Sequence, residues 1–403
     1  MRTFRFELSI PKVLATKALR PIWPGVIWSP LSPTRFVTLP EPPLPGPRWI
    51  RLRNRQSGIC GTDLTLLFVE ADPGVSMAAL PSQALVYLGH EVVSDVVETG
   101  PAVTRVRVGD RVLLDTRITG PNCLSQEITP PCRHCRAGNH GRCENLSRGA
   151  GPAGTGGGWG DGYTAHESEV QRVPDDLDDD QAVLVEPASV ALRGVLRRRP
   201  EAGDRVLVLG CGTVGLLTVG MARIVAPQAQ ITAMARYPHQ AEMAGRLGAD
   251  DVVTTGDAYE QVARRTGGQL YAAALGNRTL LGGYDVIYDV VGNGQSITDS
   301  LRWARAGGTV VVLGITPKRV KADLSPVWHQ EVTMMGSVVH GMERWNGQRV
   351  HGYHLVARWM RDGRLPVADL ITHRYPLEAH REAVRTATDK RTGAIKVVFQ
   401  TKR

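Results

Sequence analysis

The sequence predicts an α/β protein in two parts: a mostly-β unit, then a doubly wound parallel sheet. Three observations predict it. Short apolar–polar alternations separated by glycine turns fill the first part of the chain. Strands and helical stretches alternate from residue 204 to about 340. A glycine motif, Gly210-Cys211-Gly212-Thr213-Val214-Gly215, opens the first helix of that second series. A chain of 403 residues has room for two such domains.

The elements follow in order. Pro40, Pro42, Pro43, Pro45 and Pro47 mark an irregular connector, and residues 50–55 alternate apolar and polar as a half-exposed strand. Residues 92–97, 103–108 and 111–114 read as further short strands. The glycine-dense stretch 149–162 reads either as a mobile surface loop or as a segment beside an active site. Asp178, Asp179 and Asp180 ahead of Gln181 mark a helix start, with acids at the positive end of the dipole. Strands are then expected at 205–209, 230–234, 252–254, 284–291, 309–313 and 333–339, with helices at 214–224 and 238–247. Residues 341–403 return to helix–strand material ending in Ile395-Lys396-Val397-Val398-Phe399.

Composition narrows the function. Charged residues make up 22% and apolar residues 42%, which excludes wholesale disorder. Six cysteines are too few for a disulfide scaffold, and four of them fall between 123 and 143, which points to metal binding. The net charge of +9 is spread out, with Arg197-Arg198-Arg199 as the tight cluster, so no nucleic-acid partner is expected. Such a surplus can instead draw in an anionic substrate or a phosphorylated cofactor. The apolar run 206–222 is too short and too glycine-rich for a membrane helix, and the start carries no secretion-type apolar stretch. A cytoplasmic protein with reduced thiols and no membrane partner is expected.

The glycine motif points to a dinucleotide. Gly210 allows the tight turn, Gly212 lets a pyrophosphate approach the backbone, and Gly215 lets the helix pack on the strand. Thr213 and Val214 begin that helix, whose free N–H groups face the phosphates. The second strand ends with Ala235 where an NAD site usually carries a carboxylate, and Arg236 follows. Loss of the carboxylate and gain of a guanidinium favour NADP(H) over NAD(H). Arg236 stacking on the adenine is the plainer reading. Cys211 reads as a small packing residue.

Two constellations suit metal. Cys60, His90 and Glu186 are dispersed, and together offer the S, N and O donors of a catalytic zinc with an open position. Cys132, Cys135 and Cys143, with Cys123 upstream, suit a closed structural zinc.

These motifs occur in a family's order: GICGTD at 58–63, GHE at 89–91, VGDRV at 108–112, the cysteine cluster, Glu186-Pro187, GCGTVG at 210–215 and GGTVVVLG at 307–314. The chain thereby resembles the zinc-dependent medium-chain dehydrogenases/reductases, which include alcohol, polyol, threonine and glucose dehydrogenases. The resemblance implies a GroES-like catalytic domain over 1–193, completed by 341–403, and a Rossmann domain over 194–340. It implies catalytic and structural Zn2+, a nicotinamide cofactor, an alcohol, polyol or carbonyl substrate, and a homo-oligomer, dimer or tetramer. Cys60 and His90 match two zinc ligands and Glu186 the third, while Glu91 matches a carboxylate able to approach or exchange with the metal. The zinc would act as a Lewis acid on the substrate oxygen. Thr62 would hydrogen-bond that oxygen and pass its proton toward the cofactor ribose, a helix cap being its plainer role. Asp63 would hold the ring of His90.

Three departures stand out. Eight residues, 124–131, separate Cys123 from Cys132 where the family usually has two. Thr65 replaces a histidine that often relays protons. The stretch 261–283 is longer than usual, for which a surface or oligomer contact is the plain expectation. Trp159 and Asp161 fall near where the family closes its cleft, and Trp159 fits equally as core. Two alternatives stay open: a zinc-independent enone or quinone reductase on the same fold, and a zinc-stabilised nucleic-acid-binding protein built on the cysteine cluster.

Overall fold

The computed structural model describes residues 1–76, 85–115, 120–146, 153–254 and 256–401. The start of the glycine-dense stretch, 149–152, lies outside them. The chain divides into two compact units, Met1–Glu186 with Val367–Arg403, and Pro187–Pro366. No described helix is long and apolar enough to cross a membrane.

In the first unit, strand Trp49–Gly58 is the organising element. It pairs with Lys396–Gln400, Val92–Thr99 and Gly162–His166, and the sheet runs on to Ile371–Tyr375 on one side and to Arg111–Leu114 and Val170–Arg172 on the other. The alternation read in 50–55 has the expected consequence: Ile50 and Leu52 point into a core with Val92, Val96, Val112 and Tyr163. Asn54 is a buried polar residue of the same strand. Its amide donates to the carbonyls of Gly157 (2.9 Å) and Gly160 (2.7 Å), so the described part of the glycine-rich stretch is packed thread, not a loose loop. Residues 103–108 form no strand. Glu167 accepts the backbone N–H groups of Thr104 (2.8 Å) and Arg105 (2.9 Å), which a partner strand would otherwise take. Asp178 caps helix Asp179–Val183 by accepting from the N–H of Gln181 (2.7 Å).

A smaller sheet joins Arg2–Glu7 to Thr34–Thr38 and Leu85–Tyr87. Trp159 is fully buried, edge-on to Phe4 and Phe399. Asp161 accepts from the Arg2 guanidinium (2.7 Å) and backbone (2.7 Å). Both residues singled out near the family's cleft thus serve packing and the tethering of the chain start.

The second unit holds a six-stranded parallel sheet in the order Asp251–Val253, Gln230–Met234, Arg205–Leu209, Tyr284–Asp289, Ala304–Val312, Thr333–Gly336. This is the doubly wound order, which reverses direction between the first and fourth strands. The long connection resolves into helix Ala258–Thr266 and a separate hairpin, Gln269–Ala272 with Arg278–Leu281. Arg278 ties the hairpin down, lying 4.3 Å from the Tyr259 ring centroid.

The unit boundaries differ from the residues 193/194 and 340/341 of the sequence reading. The hairpin Met342–Trp345/Gln348–His351 and helix Gly352–Arg361 belong to the second unit. Trp345 sits edge-on to buried Trp359 (5.1 Å) and under the Arg199 guanidinium (5.0 Å), and a Cβ at Gly220 would meet Leu365 at 2.8 Å. Long-range side-chain packing sets that boundary, not the local pattern.

Candidate active site

Helix Gly61–Leu67 starts at the end of the central strand of the first unit, with Cys60 as its N-cap residue. Asp63, in its first turn, is buried and reaches back to the Cys60 N–H (3.4 Å). The other Asp63 oxygen accepts from the Gly89 N–H (2.9 Å) and lies 3.3 Å from His90 Nδ1. One carboxylate therefore fixes the positions of Cys60 and His90 together, as a supporting carboxylate does around a metal-binding histidine. Burial opposes charge on the His90 ring, but Asp63 and Cys60 outweigh it and hold the pKa well above the usual range.

The donor atoms of Cys60, His90 and Glu91 lie within 4.8 Å of one another. Glu186, expected as the third ligand, is not in that set. It is buried in the first turn of helix Val185–Arg197, where burial pushes its carboxyl up to about 7, His90 opposing and Glu91 reinforcing. Glu91 also ion-pairs with Lys396, whose side chain is as buried as its own. Sequence reading missed Lys396. The available signal was a lone charge heading the apolar run Val397-Val398-Phe399, 305 residues from its partner. Sulfur, imidazole and carboxylate donors, with buried carboxylates in excess over buried cations, fit a divalent ion of the zinc kind.

Asp63 closes the helix start, so Thr62 is not the cap. Its hydroxyl lies 3.7 Å from Cys60 Sγ. Thr65 bonds its own helix at Gly61 O (3.1 Å).

Elsewhere in this unit Cys123, Cys132, Cys135 and Cys143 converge within 4.8 Å, despite the long spacing after Cys123. Backbone N–H groups point at the sulfurs: Cys132 N to Cys123 Sγ, Cys135 N to Cys132 Sγ and Asn145 N to Cys143 Sγ, each 3.4 Å. Burial raises the Cys132 thiol, but hydrogen bonds from the Glu144 and Cys135 backbone outweigh it and bring it to about 7. Burial pushes Cys135 and Cys143 up.

In the second unit, helix Thr213–Val225 follows strand Arg205–Leu209 through the glycine motif. Gly210 has φ +97°, and a Cβ on Gly215 would stand 1.8 Å from Gly210 O, so the helix seats on the turn only without side chains there. A Cβ on Gly212 would meet nothing within 4 Å, which leaves open space at the helix N-terminus. A cleft of about 440 Å3 runs from this turn past Ala235, Arg236, Tyr237 and Val291. Among the described residues lining it there is no carboxylate. Arg236 is exposed, its guanidinium 5.7 Å from the Tyr237 ring centroid. Cys211 is buried and its thiol pushed up to about 12, which suits packing and not nucleophilic work.

Comparison with known proteins gives the family. Residues 46–175 match the alcohol dehydrogenase GroES-like domain and 213–349 the zinc-binding dehydrogenase model. An L-threonine 3-dehydrogenase of Saccharopolyspora erythraea is 30% identical over 371 residues, 91% of this chain and 96% of that protein. The chain belongs to the zinc-type medium-chain dehydrogenase/reductase family. Among other relatives, the (R,R)-butanediol dehydrogenase of Bacillus subtilis is 28% identical, over 74% of this chain and 79% of that one. The NADP-bound zinc-binding dehydrogenase of Sinorhizobium meliloti 1021 superposes with a TM-score of 0.68 at 28% identity, covering 91% of this chain and 95% of that one. As a medium-chain dehydrogenase the protein is a zinc-dependent oxidoreductase of CH–OH donors, with a GroES-like unit carrying Cys60 and His90 and a Rossmann unit carrying the glycine motif.

Proposed function

We propose that this dehydrogenase oxidises an alcohol or polyol, or reduces the matching carbonyl, with NADP(H). The observation that carries the reading is the meeting of Cys60, His90 and the buried Glu91, whose donor atoms lie within 4.8 Å of one another, in a chain of this family. Cys60, His90 and Glu91 would hold the catalytic ion, with Glu186 as the second carboxylate beside it. When bound, zinc supplies a Lewis acid that acidifies the substrate hydroxyl, and the nicotinamide accepts the hydride. Asp63 keeps Cys60 and His90 in position. Thr62, its hydroxyl 3.7 Å from Cys60 Sγ, would take the substrate hydroxyl's proton while giving up its own toward the cofactor ribose. The four-cysteine cluster would hold a structural zinc. The family relation favours a cytoplasmic homo-oligomer. A panel of alcohols, polyols and aldehydes with both cofactors, followed by nicotinamide absorbance, tests the reading; no turnover with any CH–OH donor refutes it.

Thr62→Ala should lower kcat by about 100-fold, the low end for a lost proton-transfer group, and leave the cofactor KM within about threefold. Steady-state kinetics with cofactor varied at saturating alcohol separates the two. An equal kcat removes the relay role.

NADP(H) selection rests on Arg236 beside an uncharged Ala235. A charge-assisted hydrogen bond is worth about 1.5–3 kcal/mol, so Arg236→Ala should weaken NADPH by roughly 10- to 100-fold. NADH, without the 2′-phosphate, should change by less than about threefold. Fluorescence titration of both reduced cofactors checks this, and an equal loss for both sinks it.

A further inference from the structure

Lys396 lies on the C-terminal strand of the first unit and is 2% exposed, an uncommon place for an ammonium group. Its Nζ pairs with Glu91 Oε2 and donates to Ile59 O (3.3 Å). The pair is built into the backbone that leads to Cys60. A Cβ on Gly58 would stand 2.0 Å from Glu91 Oε2 and 2.6 Å from Lys396 Cε, so glycine at 58 is what gives the pair its room. Gly58 N in turn donates to Glu91 O (2.7 Å). Asp63, Glu91 and Glu186 are all buried around Cys60 and His90, and Lys396 is the ammonium that acts on Glu91 and Glu186 together.

A carboxylate has two oxygens and can give a metal either or both. Here one oxygen of Glu91 is taken by an ammonium group that cannot leave for water. We propose that Lys396 is a positioning residue of the metal centre: it limits Glu91 to at most one oxygen on the ion and so keeps a coordination position open for substrate. The inference rests on the zinc reading of Cys60 and His90. It holds whichever of Glu91 and Glu186 is the third ligand, because in both cases a freed Glu91 would add a donor at the position a catalytic site keeps open. Lys396 also sets the affinity, since a fixed positive charge beside the site opposes binding of a dication.

The test uses the full chain, stripped of metal and titrated with Co2+ against a chelator. Cys60→Ser serves as the blank that isolates this site from the cysteine cluster. In Lys396→Gln, Co2+ should bind at the Cys60 site about tenfold tighter or more, by loss of the opposing charge. Its visible absorption should weaken as coordination number rises, and the alcohol KM should rise as kcat falls. Lys396→Arg keeps the charge and should restore all three. In a Glu91→Gln background the spectral change on Lys396→Gln should vanish, a result that loss of packing alone does not give. Co2+ binding and spectrum unchanged from wild type, in a Lys396→Gln protein of normal circular dichroism and melting, overturn the proposal while leaving the zinc reading intact. If Lys396→Gln does not fold, Lys396→Arg with a displaced spectrum and weakened Co2+ overturns it equally. A wild-type titration identical to that of Cys60→Ser overturns both readings.

Discussion

Cys60→Ser should lower kcat/KM for the alcohol by about 1,000-fold or more and cost one metal atom per chain, with the fold retained. The activity loss follows from the metal. Lewis-acid stabilisation by zinc is worth several kcal/mol in the transition state, and each 1.4 kcal/mol is tenfold in rate. A serine hydroxyl does not ionise as a thiol does, so the site keeps imidazole and carboxylate but loses its strongest donor. The fold is spared for a local reason. Cys60 is the N-cap residue of helix Gly61–Leu67, and serine is among the preferred residues there. The Asp63 bonds to the Cys60 and Gly89 N–H groups use backbone, which the substitution leaves in place. Melting temperature should therefore fall little while turnover collapses. Metal analysis, steady-state kinetics and calorimetry on one preparation check the three parts. Two atoms retained with turnover within about threefold would remove Cys60 from the centre. Glu91→Gln and Glu186→Gln, carried through the same measurements, assign the third ligand by which of them releases the ion.

The sites were legible to different depths. The glycine motif is local: turn and helix start fall within six residues, so the tight turn at Gly210 and the close packing at Gly215 could be read from the sequence. Cys60 and His90 lie 30 residues apart, but each sits in a short motif, and the family order joins them. The carboxylate is another matter. Glu91 adjoins His90, while Glu186 arrives from a distant helix, and which of them reaches the Cys60 donor depends on how strand Trp49–Gly58 and Lys396 hold Glu91. No spacing rule carries that. Lys396 was invisible for the same reason: a strand residue acquires a role only when sheet pairing sets Val398 opposite Gly58. Residues 103–108 show the converse. Their apolar alternation suits a strand, yet a buried Glu167 takes the N–H groups a ladder needs. Local pattern proposes elements; long-range polar partners decide among them.

Cys123→Ser should unfold the segment around the cysteine cluster, releasing the second metal atom at a cost on the order of 4 kcal/mol, the range reached when a structural metal is lost. The reason lies in what this segment has instead of a core. Cys123, Cys135 and Cys143 are buried against one another, and the partly buried side chains packed on them are Ile128 and Cys132. Apolar burial of that size stabilises by only a few kcal/mol and cannot order some 25 residues against their conformational entropy. A metal bound by four thiolates can, because its binding energy is folding energy. Cys123 is the critical member, since it meets Cys143 at 3.6 Å between sulfurs and takes N–H bonds from Cys132 and from the Asn145 side chain. Its sulfur thereby ties both ends of the segment to the centre. Serine places a smaller, protonated oxygen there, leaving three thiolates and a gap. The expected signature is one metal atom lost, protease cleavage between 123 and 146, and an unchanged cofactor affinity, because the glycine motif belongs to the other unit. Wild-type melting with full metal content in Cys123→Ser would show that three cysteines suffice and that the segment is ordered by something other than the ion.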